Sequence, residues 1–132
     1  MSEPAGHGSG ATERLFTVDE AAAMLPELRE LLPRLRQARR DLIEASGRVT
    51  AKVAADGGGV AEPAWFRAQQ QMKTDLTALA DAGILLRDPE IGLVDFPSLR
   101  DGERVYLCWR LGEDEIGFFH GERAGLSGRR PL

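Results

Sequence analysis

The side chains able to do chemistry in this sequence gather near its C-terminal end: Asp95, Cys108, Trp109, Arg110, Glu113, His120 and Arg129. Asp95 with His120 has the makings of an acid–base pair, in which a carboxylate orients an imidazole that titrates near neutral pH. Cys108 with His120 has the makings of a nucleophilic pair, which requires the base within hydrogen-bond reach of the thiol. Arg110 and Arg129 are suited to receive an anion or a partner's carboxylate. Each residue also has a plainer reading. Cys108 reads as a small buried side chain, His120 as a hydrogen-bonding residue at a strand end, Trp109 as core, Arg110 as the ion-pair partner of Glu113 or Glu115, and Arg129 as half of an ion pair within the subunit.

Strand pairing decides between these readings. Over Arg104–Arg110 the pattern alternates, with Val105, Leu107 and Trp109 on one face and Tyr106, Cys108 and Arg110 on the other. A four-residue loop, Leu111-Gly112-Glu113-Asp114, predicts a hairpin that sets Arg110 opposite Glu115, Trp109 opposite Ile116, Leu107 opposite Phe118 and Val105 opposite His120. The first two pairs support that register, at roughly 0.2–1 kcal/mol each. The core face is then Val105, Leu107, Trp109, Ile116 and Phe118, with His120 at its rim. Cys108 and His120 fall on opposite faces, which argues against a nucleophilic pair. The outer face of Tyr106, Cys108 and Phe119 is apolar enough to need a cover, from this chain or from a second subunit.

Composition narrows the functional classes. The chain has 132 residues, enough for one domain, with 42% hydrophobic and 29% charged residues. A net charge of −4 and a pI near 5.2 argue against nucleic acid as partner. One cysteine excludes an intrachain disulfide and a Cys-rich zinc site. No spaced set of metal ligands is present, so no metal or other cofactor is expected. No run approaches the ~20 apolar residues of a membrane span, and the N-terminus lacks the plan of a signal peptide. The expected location is therefore the cytoplasm.

The elements that would position the candidates follow in order. Residues 1–14, rich in Gly, Ser and Ala, read as a disordered tail, with His7 there lacking any companion ligand. Thr17 and Glu20 form a capping box, with Phe16 placed to pack back. A short helix over Val18–Leu25 leads through a bend into a long helix from Pro26, kinked at Pro33. Leu25, Leu28, Leu32, Leu35, Leu42, Val49 and Val53 form a heptad-like seam, its gaps filled by Arg39 and Ser46. After Asp56-Gly57-Gly58-Gly59, a helix opening at Pro63 carries a matching stripe of Trp65, Met72, Leu76 and Leu79, so the two pack as an antiparallel hairpin over residues 18–82. The glycine run has no Lys-Ser or Lys-Thr after it and is not a phosphate loop. Arg34, Arg36, Arg39 and Arg40 read as a solvated helix face offset by Glu27, Glu30, Asp41 and Glu44. Gly83 ends the second helix. Residues 84–120 then read as a meander of four short strands, Ile84–Arg87, Leu93–Phe96 and the central hairpin, with Pro97 closing the second. Residues 121–132 read as an irregular loop. Helices followed by strands indicate one α+β domain over residues 15–132.

These pieces together resemble a bacterial family catalogued as domain of unknown function 2203. The resemblance rests on Phe16-Thr17 with Glu20, Ala21 and Leu25-Pro26, on Gly92-Leu93-Val94-Asp95-Phe96-Pro97, on Leu107-Cys108-Trp109-Arg110-Leu111-Gly112-Glu113, and on His120-Gly121 with Gly125, Gly128, Arg129, Pro131 and Leu132. Phe119 departs from it, Trp being commoner there. No activity comes with the family, but the resemblance implies that residues 121–132 are an ordered loop.

Two functions follow as expectations. The leading one is a non-enzymatic module that binds a protein partner or self-associates, most simply as a two-fold dimer. The alternative is a small-molecule or anion site, with an enzymatic role left open, formed by Asp95, Arg110, His120 and Arg129 where the C-terminal loop meets the sheet. Convergence and burial of His120 and Arg129 discriminate between them.

Overall fold

The computed structural model describes residues 13–56, 63–122 and 128–132, without the side chains of 48–56. The expectations for the tail at 1–12 with His7, the seam ends Val49 and Val53, the glycines at 57–59, and Gly125 lie outside this description. Three helices precede five strands: α1 (Val18–Ala23), α2 (Leu25–Asp56), α3 (Pro63–Ala82), β1 (Leu85–Asp88), β2 (Leu93–Arg100), β3 (Glu103–Arg110), β4 (Phe118–Gly121) and β5 (Arg130–Pro131). The strands form one antiparallel sheet in the order β1-β2-β3-β4-β5. The α+β class is as expected; the sheet has a fifth strand where the sequence suggested irregular loop.

Helix starts follow local chemistry. Thr17 and Glu20 close the capping box on α1 in both directions. Phe16 sets the entry of the chain: its ring meets Phe96 edge-on at 5.1 Å, its amide donates to Pro97 O at 2.7 Å, and its carbonyl accepts from Ser98 Oγ. Pro33 lies inside α2. The pairs Trp65–Ser46 and Arg34–Asp75 run in opposite order along α2 and α3, the mark of an antiparallel pair.

The stripe on α3 needs correction. Leu76 is 38% exposed, whereas Asp75, one residue earlier, is 1% exposed. Arg34 reaches from α2 to both Asp75 oxygens, and Gln71 donates to them as well, so a carboxylate can occupy the buried line. Three more arginines of α2 find partners across space. Arg39 and Arg40 pair with Glu90, and Arg36 donates to its carbonyl, which ties α2 to the β1–β2 turn.

One buried cluster joins both layers. It includes Leu25, Leu28, Leu32 and Leu35 of α2, Leu79 of α3, and Val94, Phe96, Val105, Leu107, Trp109 and Phe119 of the sheet. These sheet residues share one face by the observed register. The helices therefore cover that face, and the other carries the candidate site.

Two strand boundaries differ from expectation. Pro97 does not end β2; it pairs with Tyr106. β1 covers only Leu93–Asp95, so β2 is an edge at Pro97, where a missing N–H is tolerated. The β3–β4 connection is longer than four residues and pairing resumes only at Phe118, where Cys108 is the partner. Gly92 anchors this loop: with φ of 69° it accepts from the Leu111 amide at 3.0 Å, and a Cβ there would lie 2.7 Å from Leu111 Cβ.

Two glycine substitutions should act in opposite directions. Gly92→Ala is expected to lower stability by more than about 1 kcal/mol, through its positive φ and the contact with Leu111. Gly47→Ala, in mid-helix with nothing within 4 Å, should raise it by roughly 0.5–1 kcal/mol. Denaturant unfolding of both variants checks the pair.

Candidate functional site

The register of β3 against β4 places the site. His120 pairs with Tyr106, Leu107 with Phe119 and Cys108 with Phe118. The expected register is thus wrong by one residue, and every side chain of β4 is turned over. Phe119, not Phe118, joins the core, and His120 moves to the face that carries Cys108. The separation of Cys108 from His120 is overturned with it. Neither Arg110–Glu115 nor Trp109–Ile116 is a ladder pair. Ile116 is still buried in the core, from within the loop, and Trp109 Nε1 donates to Glu113 O at 3.1 Å. Residues 111–117 join the two strands, a longer connection than the expected four-residue loop, and the register shifts with it.

On the helix-free face, Asp95 lies opposite Cys108 across β2 and β3. His120 reaches back from β4, so the Asp95–His120 bond straddles β3, with the small Cys108 side chain leaving room beneath. His120 Nε2 is 3.0 Å from Asp95 Oδ2, and His120 Nδ1 is 2.7 Å from Gly121 O. Asp95, Cys108 and His120 are 1%, 1% and 3% exposed, which makes this polar group as buried as the core. Arg87 Nε donates to Asp95 Oδ2 at 2.7 Å. Tyr106 lies against the His120 ring at 5.4 Å, and its own ring carries the Arg87 and Arg104 guanidinium groups at 5.0 and 4.8 Å.

The thiol of Cys108 is pushed up to about 11, first by burial and then by the charge of Asp95; Arg129 opposes the rise. At neutral pH such a group stays protonated. The geometry that brings sulfur and imidazole together is therefore not that of a free thiolate nucleophile.

The other predicted residues divide. Arg129 meets the sheet beside the trio: its guanidinium donates to both Glu113 oxygens at 2.8 and 2.9 Å and to Cys108 O at 3.3 Å, above the Phe118 ring. Its charge is matched by Glu113, so it is a latch for the C-terminal strand. Arg110 is exposed and does not converge; its backbone amide donates to Glu113 Oε1. Arg87 and Tyr106 belong to the site and were not singled out by the sequence. The signal for Arg87 was its opposite charge to Asp95 across the β1–β2 turn. Tyr106 carried none apart from the strand pairing.

The latch predicts an acid response. Burial pushes the Glu113 carboxyl up, but the Arg129 bonds and the Arg110 amide pull it further down, to a net position below the usual 4.5. A depressed carboxyl contributes stability above 4.5 and loses it as pH falls through the folded value. The Leu132 amide, bonded to Gly117 O at 2.9 Å, should therefore exchange faster on acidification below 4.5, after correction for intrinsic rates. Amides of β2 and β3 should respond less, and Glu113→Gln should remove the pH dependence. Exchange measured by NMR checks this.

Among the described residues no helix is long and apolar enough to cross a membrane. No curated protein and no solved structure matches the chain. The family described as "Uncharacterized conserved protein (DUF2203)" matches residues 14–132, which takes in all three helices and all five strands, and the chain belongs to that family.

Proposed function

We propose that this chain is a small binding protein whose working site is the helix-free face of the sheet, where the C-terminal residues meet it. One observation carries the reading: Asp95, Cys108 and His120 converge from three strands and are all buried. Burying a carboxylate is costly unless it is matched. A binding role fits the protonated state of Cys108 better than thiol catalysis does. Of the expected ligand residues, Asp95 and His120 form the centre, Arg129 stands at its edge, and Arg110 drops out.

A screen of small anions, metal ions and metabolites by thermal shift tests the proposal. A genuine ligand at 100 times its dissociation constant stabilises the fold by about 2.7 kcal/mol. At least one ligand is expected to raise the melting temperature of the natural protein and to lose that effect in His120→Gln and in Cys108→Ser, both checked for folding by circular dichroism. Ligands that act equally on all three proteins, or on none, would show that the face is structural.

A second proposal keeps the helical hairpin as a protein-interaction or self-association surface. Its support is Ile43 on α2 and Phe66 on α3, which are 57% and 55% exposed. Sedimentation at micromolar concentration is expected to show a dimer that Phe66→Ser weakens at least tenfold; a monomer throughout sinks this proposal and leaves the first untouched.

A further inference from the structure

The trio supplies a carboxylate oxygen, a thiol sulfur and an imidazole nitrogen, all within 4.8 Å of one another. Its hydrogen bonding is incomplete in a specific way. Gly121 O can only accept, so His120 Nδ1 carries a proton. In the neutral ring, Nε2 then presents a lone pair to the lone pairs of Asp95 Oδ2 at 3.0 Å. Two acceptors at that separation require either a proton or a metal ion between them, Arg87 being bonded to the same oxygen from the side. A second observation points the same way. Asp95 Oδ1 is buried and has no hydrogen-bond partner among the described residues, while Oδ2 already holds Arg87.

We propose that Asp95, Cys108 and His120 are the ligands of a divalent transition-metal ion, with Zn²⁺ the best match to the donor set. This rests on the reading of the face as a ligand site and names the ligand. Sulfur and imidazole select against Mg²⁺ and Ca²⁺, whereas a mixed sulfur, nitrogen and oxygen set suits Zn²⁺. Tetrahedral bonds of about 2.0–2.3 Å put ligand atoms roughly 3.4–3.8 Å apart, so on binding the wider separations, within 4.8 Å, would close by about 1 Å at most and the 3.0 Å Asp95–His120 pair would open slightly. The Gly121 carbonyl is the outer-shell partner that a metal-ligating imidazole uses to hold its tautomer, and Arg87 holds the carboxylate in the same manner. On binding, the Cys108 proton leaves to solvent and the sulfur lone pair takes the metal. Three protein ligands leave a fourth position open to water or a further ligand.

The experiment uses the full chain without a histidine tag, stripped by chelator and titrated with Zn²⁺ and with Co²⁺. One ion per chain is expected, with a thiolate-to-cobalt charge-transfer band in the near ultraviolet. His120→Gln should lower affinity at least tenfold, and Cys108→Ser should abolish the band while leaving a weaker site. Cys108→Ala, which removes the ligand with little change of volume, guards against loss of folding in the others. No binding at micromolar metal, or equal binding in Cys108→Ala, overturns the proposal. If metal fails while an organic or anionic ligand still depends on His120, the site stands and only its occupant is wrong; if both fail, the site reading falls as well.

Discussion

His120 touches Asp95 because Tyr106, and not Val105, is its partner across the β3–β4 ladder. Side chains on a strand alternate with a period of two, so one step of register exchanges the buried apolar face for the other. The step is held from both ends of the β3–β4 connection. On the near side, Glu113 accepts from the Arg110 amide and Trp109 Nε1 donates to Glu113 O. On the far side, the C-terminal strand lies along β4, with Leu132 bonded to Gly117 and Arg129 bonded to Glu113. Glu113 is thus common to the loop and to the terminus, and the terminus helps fix where His120 points.

The sheet separates two kinds of burial. One face is packed against α2 and α3 through Leu28, Leu32, Leu35, Phe96 and Trp109, and apolar burial of this kind is the main source of stability. The opposite face buries a carboxylate, a thiol and an imidazole to the same degree. Those groups add little net stability and demand close matching of charge and hydrogen bonds. Arg87 and Gly121 supply part of that match, and the incomplete remainder at Asp95 Oδ1 is what distinguishes the trio from a finished structural network.

The ion pairs follow the same division between local and distant. Arg34, Arg39 and Arg40 look, along the chain, like a charged helix face beside acids of their own helix. In the fold Arg34 holds a buried carboxylate on α3, and Arg39 and Arg40 clamp the turn between β1 and β2. Asp75 is the clearest case: an acid in an apolar line breaks the periodicity that identifies the line, and Arg34 on another helix, with Gln71 on its own, makes the burial tolerable.

Sequence alone determined what depends on near neighbours: the capping box at Thr17 and Glu20, the glycine that ends α3, the alternation of β3, and the order of helices before strands. These are set within a turn of helix or a few residues of strand, where local sterics and hydrogen bonds decide. Asp95, Cys108 and His120 were also recognisable as residue types. Their meeting was not, because it depends on the length of the β3–β4 connection and on a C-terminal strand that composition presents as loop. Tertiary structure alone decided the register, the burial of Asp75 and the role of Tyr106, since each follows from a partner whose position no local pattern encodes.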